Sequence, residues 1–198
     1  EAPGSTYPKG EELSVEEWKR CIDILYQKGV KSFSISGGEV LLKDGFEEII
    51  RHIRKEGNQR GLNHPIVLIS NALLMKEEYL RFFKEMNVHL SMSLPGYQTF
   101  HEHTGVDNAE GVLHWFRKAH EIGLSTTVNI TVTRKNYGEL FETISAGLIH
   151  GASDVLLNRF LPGGRGLSYL SELLLSPDQI NGMLCTAEEV LSHARRYA

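Results

Sequence analysis

Cysteine is scarce in this sequence, which has only Cys21 and Cys185 among 198 residues. Because these two lie far apart, they support neither a disulfide framework nor a metal site built from cysteines. Apolar runs long enough to span a membrane are lacking too, and no charged-then-apolar signal segment stands at the start. The net charge of -4 gives no electrostatic reason to expect nucleic acid or an anionic membrane as a partner. We therefore expect a cytoplasmic protein.

What the sequence does contain is a regular alternation of β-rich and amphipathic segments. Its composition, 41% hydrophobic and 23% charged, is typical of one globular domain or a large fragment of one. Helices are predicted between the strands, the clearest with Phe46, Ile49, Ile50 and Ile53 along one face. The predicted strands are 31–36, 66–70, 88–94, 125–133 and 154–161.

Capping residues predict where the helices begin and end. Side chains that can accept hydrogen bonds from free amides place helix starts at Ser14, Asp44 and Ser176. The last of these helices is predicted to bury a stripe of Leu184, Ala187, Val190 and Leu191. Residues that tolerate a left-handed turn place helix ends at Gly29, Gly57, Asn87, Gly123 and Gly151.

Strands and helices that alternate at this length favour a parallel sheet with right-handed crossovers. An eight-stranded barrel needs roughly 250 residues, so five strands indicate either an incomplete barrel or an open doubly wound sheet. In both architectures the chemistry takes place at the carboxyl ends of the strands, where loops and helix N-termini meet. The residues that follow each strand are therefore the candidate site.

Small, polar and acidic residues follow the first three strands. Gly37 and Gly38 let the backbone approach a ligand closely or adopt a positive φ, and Glu39 beside them can bind an ammonium group. Asn71 follows the second strand, and Ser93 belongs to the Ser-Met-Ser-Leu-Pro-Gly sequence at the end of the third. The glycine spacing matches neither a dinucleotide fingerprint nor a phosphate-binding loop.

The fourth and fifth strands end in polar and basic residues. Asn129, Thr131 and Thr133 alternate with apolar residues along the fourth strand, and Arg134 follows them. A polar face turned inward predicts a wet, ligand-binding interior instead of a sealed core. The fifth strand continues into Arg-Phe-Leu-Pro-Gly-Gly-Arg-Gly at 159–166, whose two arginines can bind carboxylate or phosphate or form surface ion pairs.

Four motifs stand in order at consecutive strand ends: Gly-Gly-Glu, Ser-Asn, Ser-Leu-Pro-Gly and a polar strand followed by arginine. Together they resemble the motifs of the radical S-adenosylmethionine superfamily. The resemblance covers nearly the whole chain, and 159–166 further resembles the subgroup with a C-terminal SPASM extension, many of whose members modify peptides. The resemblance implies an α/β fold, a partial (βα)6-type TIM-like barrel with parallel strands. The first strand of that barrel and the cluster loop, which binds the family's iron–sulfur cluster, are missing from this chain. Residues 1–175 would form the barrel core, and residues 176–198 a C-terminal helix leading toward a further domain.

The resemblance also implies an activity and a set of binding residues. Family members reduce S-adenosylmethionine with one electron from a [4Fe–4S] cluster, and the resulting 5′-deoxyadenosyl radical abstracts hydrogen from a substrate. The implied partners are a peptide or small-molecule substrate and an electron donor. The implied cofactor-binding residues are Gly37, Gly38 and Glu39 for the methionine amino group, Asn71 and Ser93 near the ribose, Asn129 and Arg134 for the methionine carboxylate or ribose, and Leu161 for adenine.

The chain departs from the family pattern in three places. It lacks the CxxxCxxC motif, and [4Fe–4S] clusters need thiolate ligands, so the cluster loop is expected upstream of Glu1 and this segment alone is expected to be inactive. Pro95 stands where many relatives have aspartate. His101 and His103 lie where some relatives place an arginine, and two histidines without a third ligand predict no metal site.

Three other interpretations stay open on the sequence. One is a member of the same family that acts on a small molecule, as in cofactor biosynthesis. Another is a degenerate barrel that serves as a binding or assembly scaffold without catalysis. An unrelated barrel enzyme such as an aldolase is disfavoured, because the strand ends carry neither a lysine nor a pair of carboxylates.

Overall fold

A computed structural model of the chain describes residues 12–194, except the side chain of Arg165. Glu1, upstream of which the cluster loop is expected, lies outside these residues. Within them the chain alternates five strands with eight α-helices. The strands are β1 (Ser34–Ile35), β2 (Ile66–Ser70), β3 (Val88–Ser93), β4 (Thr126–Val132) and β5 (Asp154–Arg159). The helices are α1 (Val15–Gln27), α2 (Phe46–Gln59), α3 (Glu77–Glu85), α4 (Phe100–Thr104), α5 (Ala109–Glu121), α6 (Leu140–Ile149), α7 (Leu170–Leu173) and α8 (Pro177–Ala194).

The five strands form one parallel sheet in the order β1-β2-β3-β4-β5. Neighbours in the sheet are also neighbours in sequence, and right-handed crossovers between such strands place the connecting helices on the same face. The sheet is open, and β1 and β5 form its edges. The predicted α/β fold with parallel strands, a partial TIM-like barrel, is therefore confirmed.

The two faces of the sheet differ in chemistry. The face toward the helices carries side chains that are fully buried, among them Leu68, Leu90, Val128 and Ile130. Since side chains alternate along a strand, the strand register assigns the residues between them to the opposite face. We call the following set on β3, β4 and β5, which Leu156 interrupts, the polar face: His89, Ser91, Ser93, Thr127, Asn129, Thr131, Asp154 and Asn158.

Most helix boundaries follow the prediction, but two do not. Ser14 and Ser176 both accept a hydrogen bond from the amide three residues on and cap their helices as expected. Asp44 does not begin α2, because Gly45 occupies the cap position with φ +74°. Gly57 does not end α2 and lies inside it. Its small size is needed for packing, since a Cβ there would lie 2.9 Å from the Tyr26 hydroxyl.

The predicted stripe on α8 is confirmed only at Val190. Met183 and Val190 are buried there, whereas Leu184 is 55% exposed and Leu191 is 47% exposed. The helix therefore turns Met183 and Val190 inward, and it packs against α6. No helix among residues 12–194 combines the length and apolarity that crossing a membrane requires.

Candidate functional site

Three of the predicted binding residues meet in one cleft at the carboxyl ends of the strands. Asn71 after β2, Ser93 at the end of β3 and Asn129 on β4 line a cleft of about 250 Å³. Thr131 of the polar face also lines this cleft. The remaining lining residues are Leu73, Pro95, Phe100 and Thr104. The cleft therefore offers neutral hydrogen-bonding groups on one side and apolar contacts on the other.

Glu39 connects the ends of β1 and β2 through its carboxylate. One oxygen accepts hydrogen bonds from the Ser70 hydroxyl at 2.8 Å and the Leu41 amide at 3.1 Å. The other oxygen accepts from the Asn71 amide at 2.8 Å. A carboxylate has about four acceptor sites, so these three donors leave room for one more, such as an ammonium group. Because all three donors are neutral, the negative charge of Glu39 is held in place without being cancelled.

Gly37 and Gly38 border a second cavity, of about 380 Å³, between β1, α1 and α2. Neither glycine has a positive φ, so the sequence-based alternative of a left-handed turn is wrong here. A Cβ at either position would meet no heavy atom within 4 Å. What remains is the other alternative, a backbone that another molecule can approach closely. Glu39 lines the same cavity, and its carboxylate accepts a hydrogen bond from the amide of Asn71, which lines the cleft.

The polar face carries further groups that can bind a ligand. Asn158 donates its side-chain amide to the Asn129 oxygen at 3.1 Å, which orients the Asn129 side chain. The Ser91 hydroxyl is buried and has no hydrogen-bond partner among the described residues. Ser91 lines neither cavity, so this unpaired hydroxyl belongs to the interior of the sheet and not to the cleft.

Arg134 and Leu161, by contrast, line neither cavity. The Arg134 guanidinium donates to the Ser171 carbonyl oxygen at 2.7 Å, and its backbone amide donates to the Leu173 carbonyl oxygen. Leu161 is 68% exposed. Sequence position after a strand placed both residues near the strand ends, but long-range contacts decide where their side chains go.

The residues that hold the loop after β3 in place were not predicted from the sequence. Phe100 and Thr104 of α4 line one side of the cleft. Just before this helix, the Gln98 and Thr99 amides donate hydrogen bonds to the buried Glu139 carboxylate. Asn136, which is also buried, donates to the Thr131 carbonyl oxygen at 2.9 Å and to the Pro95 carbonyl oxygen. Both residues follow β4, and no local pattern marks an acidic or amide side chain that acts more than thirty residues away.

His103 belongs to the same loop and has an unusual environment. Burial lowers its pKa, an effect that the nearby Lys135 reinforces and Glu102 and Glu139 oppose. Its Nε2 atom is buried without a hydrogen-bond partner among the described residues. The imidazole is therefore held mainly in its neutral form.

These residues fit S-adenosylmethionine but not an iron–sulfur cluster. A carboxylate with a free acceptor site suits an ammonium group, and hydroxyls and amides suit a ribose. The cysteines lie on α1 and α8, where Cys21 is half-buried and Cys185 is exposed. Two thiols on separate helices cannot supply the ligands of a [4Fe–4S] cluster.

Comparison with known proteins agrees with this arrangement. A PqqA peptide cyclase of Rhodopseudomonas palustris is 28% identical over 190 residues, which cover 90% of this chain and 47% of that protein. A probable GTP 3',8-cyclase of Saccharolobus solfataricus is 26% identical over 157 residues, which cover 78% of this chain and 49% of that protein. The chain spans about half the length of these curated relatives.

Solved structures show the same fold. Streptococcus suis SuiB bound to S-adenosylmethionine has a TM-score of 0.75 over 97% of this chain and 43% of SuiB, at 15% identity. SuiB bound to its precursor peptide SuiA has a TM-score of 0.73 over 93% of this chain and 40% of SuiB. The model of the Radical SAM superfamily matches residues 2–146, which is more than half of the chain. The chain therefore belongs to the radical SAM superfamily.

Proposed function

We propose that this chain is the core of an enzyme that binds S-adenosylmethionine and directs its reductive cleavage to a 5′-deoxyadenosyl radical, which abstracts hydrogen from a peptide. Members of this superfamily use S-adenosylmethionine and a [4Fe–4S] cluster. The observation that carries the proposal is the convergence of Glu39, Asn71, Ser93 and Asn129 at the ends of four consecutive parallel strands. The proposal assigns no cluster ligand to this chain.

Each group in the site has a proposed task. The free acceptor site of Glu39 receives the methionine ammonium group, and the bare backbone at Gly37 and Gly38 allows close approach. The Ser93 hydroxyl and the side-chain amides of Asn71 and Asn129 bind the ribose and fix its orientation. Such positioning is the protein's contribution to cofactor chemistry, because the cofactor supplies the reactive group.

Arg134 and Leu161 are proposed to contribute only after a rearrangement. The Arg134 guanidinium has to leave the Ser171 carbonyl oxygen before it can bind the methionine carboxylate. Leu161 has to turn from solvent toward adenine. Both changes involve the segment between β5 and α8, in which Leu175 is the only buried residue among those described.

A peptide substrate is favoured by the chemistry of the polar face. Its residues near the carboxyl ends of the strands bear hydroxyls and amides, and its titratable members, His89 and Asp154, lie near the amino ends of β3 and β5. Neutral donors and acceptors suit the backbone of a peptide, whereas a nucleoside triphosphate needs several cationic partners. The similarity to a probable GTP 3',8-cyclase keeps a small-molecule substrate as the second candidate. An electron donor is part of either proposal.

The domain organisation and the location in the cell are also proposals. Residues 1–175 are proposed to form the core and residues 176–198 a helix that leads toward a further domain of the SPASM type. The exposed Leu184 and Leu191 on α8 support a contact there. The protein is proposed to be cytoplasmic.

The test is 5′-deoxyadenosine formation by the full-length protein, reconstituted with iron and sulfide without oxygen and supplied with S-adenosylmethionine and dithionite. We expect the nucleoside above a no-protein control, and we expect Asn129→Ala to reduce it at least tenfold. Asn181→Ala, an exposed change on α8, is the matched control and should leave the yield within twofold. No nucleoside from a preparation with a verified cluster would favour the non-catalytic scaffold.

The substrate class needs a separate measurement with the same reconstituted protein. Candidate precursor peptides and GTP are offered in parallel, and products are identified by mass spectrometry. Modified peptide supports the proposal. Conversion of GTP without modification of any peptide would replace it with the small-molecule alternative.

A further inference from the structure

A cluster of possible metal ligands lies between α1 and α2, apart from the cleft. Asp23 on α1 and His52 and Glu56 on α2 each offer one ligand atom, and these three atoms lie within 4.8 Å of one another. All three side chains are partly buried. Among residues 12–194, this is the only group of three or more His, Cys, Asp or Glu side chains that is so close. It takes no part in the proposed function.

The helix geometry explains why the three side chains meet. His52 and Glu56 are four residues apart and therefore project from the same side of α2. The Nε2 atom of His52 is 2.7 Å from a carboxylate oxygen of Asp23, so α1 supplies the third group directly opposite. Imidazole nitrogen and carboxylate oxygen are both ligands that zinc accepts in proteins.

We propose that Asp23, His52 and Glu56 bind a divalent transition-metal ion of the zinc class. The ion would take the place of the hydrogen bond between His52 Nε2 and Asp23, with the imidazole proton on Nδ1, the tautomer in which Nε2 is a free ligand atom. Glu56 has to leave Arg60, whose guanidinium is 2.6 Å away. The Arg60 side chain is 35% exposed and that of Glu56 is 17% exposed, so this ion pair competes with the metal ion for the carboxylate.

The bound ion would link α1 to α2. These helices supply Ile22, Ile50 and Ile53 to the wall of the cavity beside Gly37 and Gly38. A metal that binds the folded chain and not the unfolded chain stabilises it by mass action. For a chain of this size, Zn²⁺ at about 100 times its Kd should raise the Tm by about 5 to 10 °C.

The experiment is a titration of the 198-residue chain, prepared without iron or sulfide, with Zn²⁺ by calorimetry and with Co²⁺ by absorption spectroscopy. We expect one ion per chain and the weak visible bands of Co²⁺ bound by nitrogen and oxygen. His52→Ala should weaken binding at least tenfold. Glu56→Gln, which keeps the size of the side chain, should weaken it severalfold. His64→Ala removes an exposed histidine elsewhere and should change the affinity less than twofold.

Three results would overturn the proposal. One is absence of binding at 100 µM metal (a concentration of about the order at which weak protein sites fill). Another is equal metal affinity of the original chain and the Glu56→Gln variant. An unchanged circular dichroism spectrum would show that this variant keeps its fold. The third is an intense sulfur-to-cobalt charge-transfer band, because it would assign the ion to a cysteine.

Discussion

Removal of the Ser70 hydroxyl should destabilise the protein more than its small size suggests. Ser70 is 2% exposed, donates to Glu39 and accepts a hydrogen bond from the Ala72 amide at 3.0 Å. A hydrogen bond to a charged group contributes about 1.5 to 3 kcal/mol, and a buried donor left unpaired costs about 1 to 3 kcal/mol. Ala72 is fully buried, so both costs apply in Ser70→Ala. Because Glu39 keeps two other donors, we expect a loss of about 3 kcal/mol in the free energy of unfolding.

Urea denaturation followed by circular dichroism measures this loss. The matched control is Ser93→Ala, whose hydroxyl is half-buried and makes no hydrogen bond among the described residues. It should cost less than about 1 kcal/mol, as surface changes usually do. A double-mutant cycle of Ser70→Ala with Glu39→Ala isolates the pair, and we expect a coupling energy of about 1.5 to 3 kcal/mol.

Two results would refute this reasoning. If Ser70→Ala is no more destabilising than Ser93→Ala, the Ser70 hydroxyl does not hold Glu39 in the way the distances indicate. If the coupling energy is below about 0.5 kcal/mol while Ser70→Ala alone is costly, the cost comes from the Ala72 amide and the link to Glu39 is negligible.

Three further changes test other parts of the structure. Gly147→Ala should cost about 1 to 3 kcal/mol in thermal unfolding, because its Cβ would lie 3.0 Å from the stiff, branched side chain of Val128. Glu139→Ala should cost about 2 to 4 kcal/mol and speed hydrogen exchange around Thr99, because the partly buried amides of Gln98 and Thr99 lose their acceptor and the Thr99 hydroxyl contact is lost with it. Burial lowers the pKa of His103, so the unfolded chain binds more protons and stability should fall as the pH drops below about 6.5, less steeply in His103→Asn.

Each of these changes has its own control. Gly138→Ala adds a Cβ that meets no heavy atom within 4 Å and should be nearly neutral, so equal losses at both glycines would contradict the packing argument. Unchanged exchange around Thr99 would show that the loop is held by other contacts. Parallel stability curves for His103→Asn and the original chain would show that the buried imidazole does not control the pH dependence in this range.

The sequence predicted the elements well because their determinants are local. The strand β2 has the predicted bounds, Ile66–Ser70, and the stripe from Phe46 to Ile53 is buried as the 3.6-residue period requires. The errors arose where a local signal had a second meaning. Gly57 serves close packing against Tyr26 instead of a helix end, and α8, which packs against α6, turns Met183 inward instead of Leu184.

The candidate site was predicted in part for the same reason. Residues at the ends of adjacent parallel strands must lie near one another, so Asn71, Ser93 and Asn129 could be grouped from order alone. Arg134 could not be placed, because its guanidinium binds the Ser171 carbonyl oxygen, a contact across 37 residues that no local pattern records. Ser70 is a small polar residue at the end of β2, and its role depends on the position of Glu39, which no local pattern records.

Two sets of hydrogen bonds hold the strand ends on either side of the cleft. On one side, Glu39 joins the ends of β1 and β2 through Ser70 and the Asn71 amide. On the other side, Asn136 ties the segment after β4 to the Pro95 carbonyl oxygen after β3. Both sets use backbone groups as partners, so they fix the spacing between strands whatever side chains line the cleft. This arrangement explains how a cleft built mostly from neutral residues keeps its shape: the charge of Glu39 is used first to join strands, and its remaining acceptor site is then already positioned for a ligand.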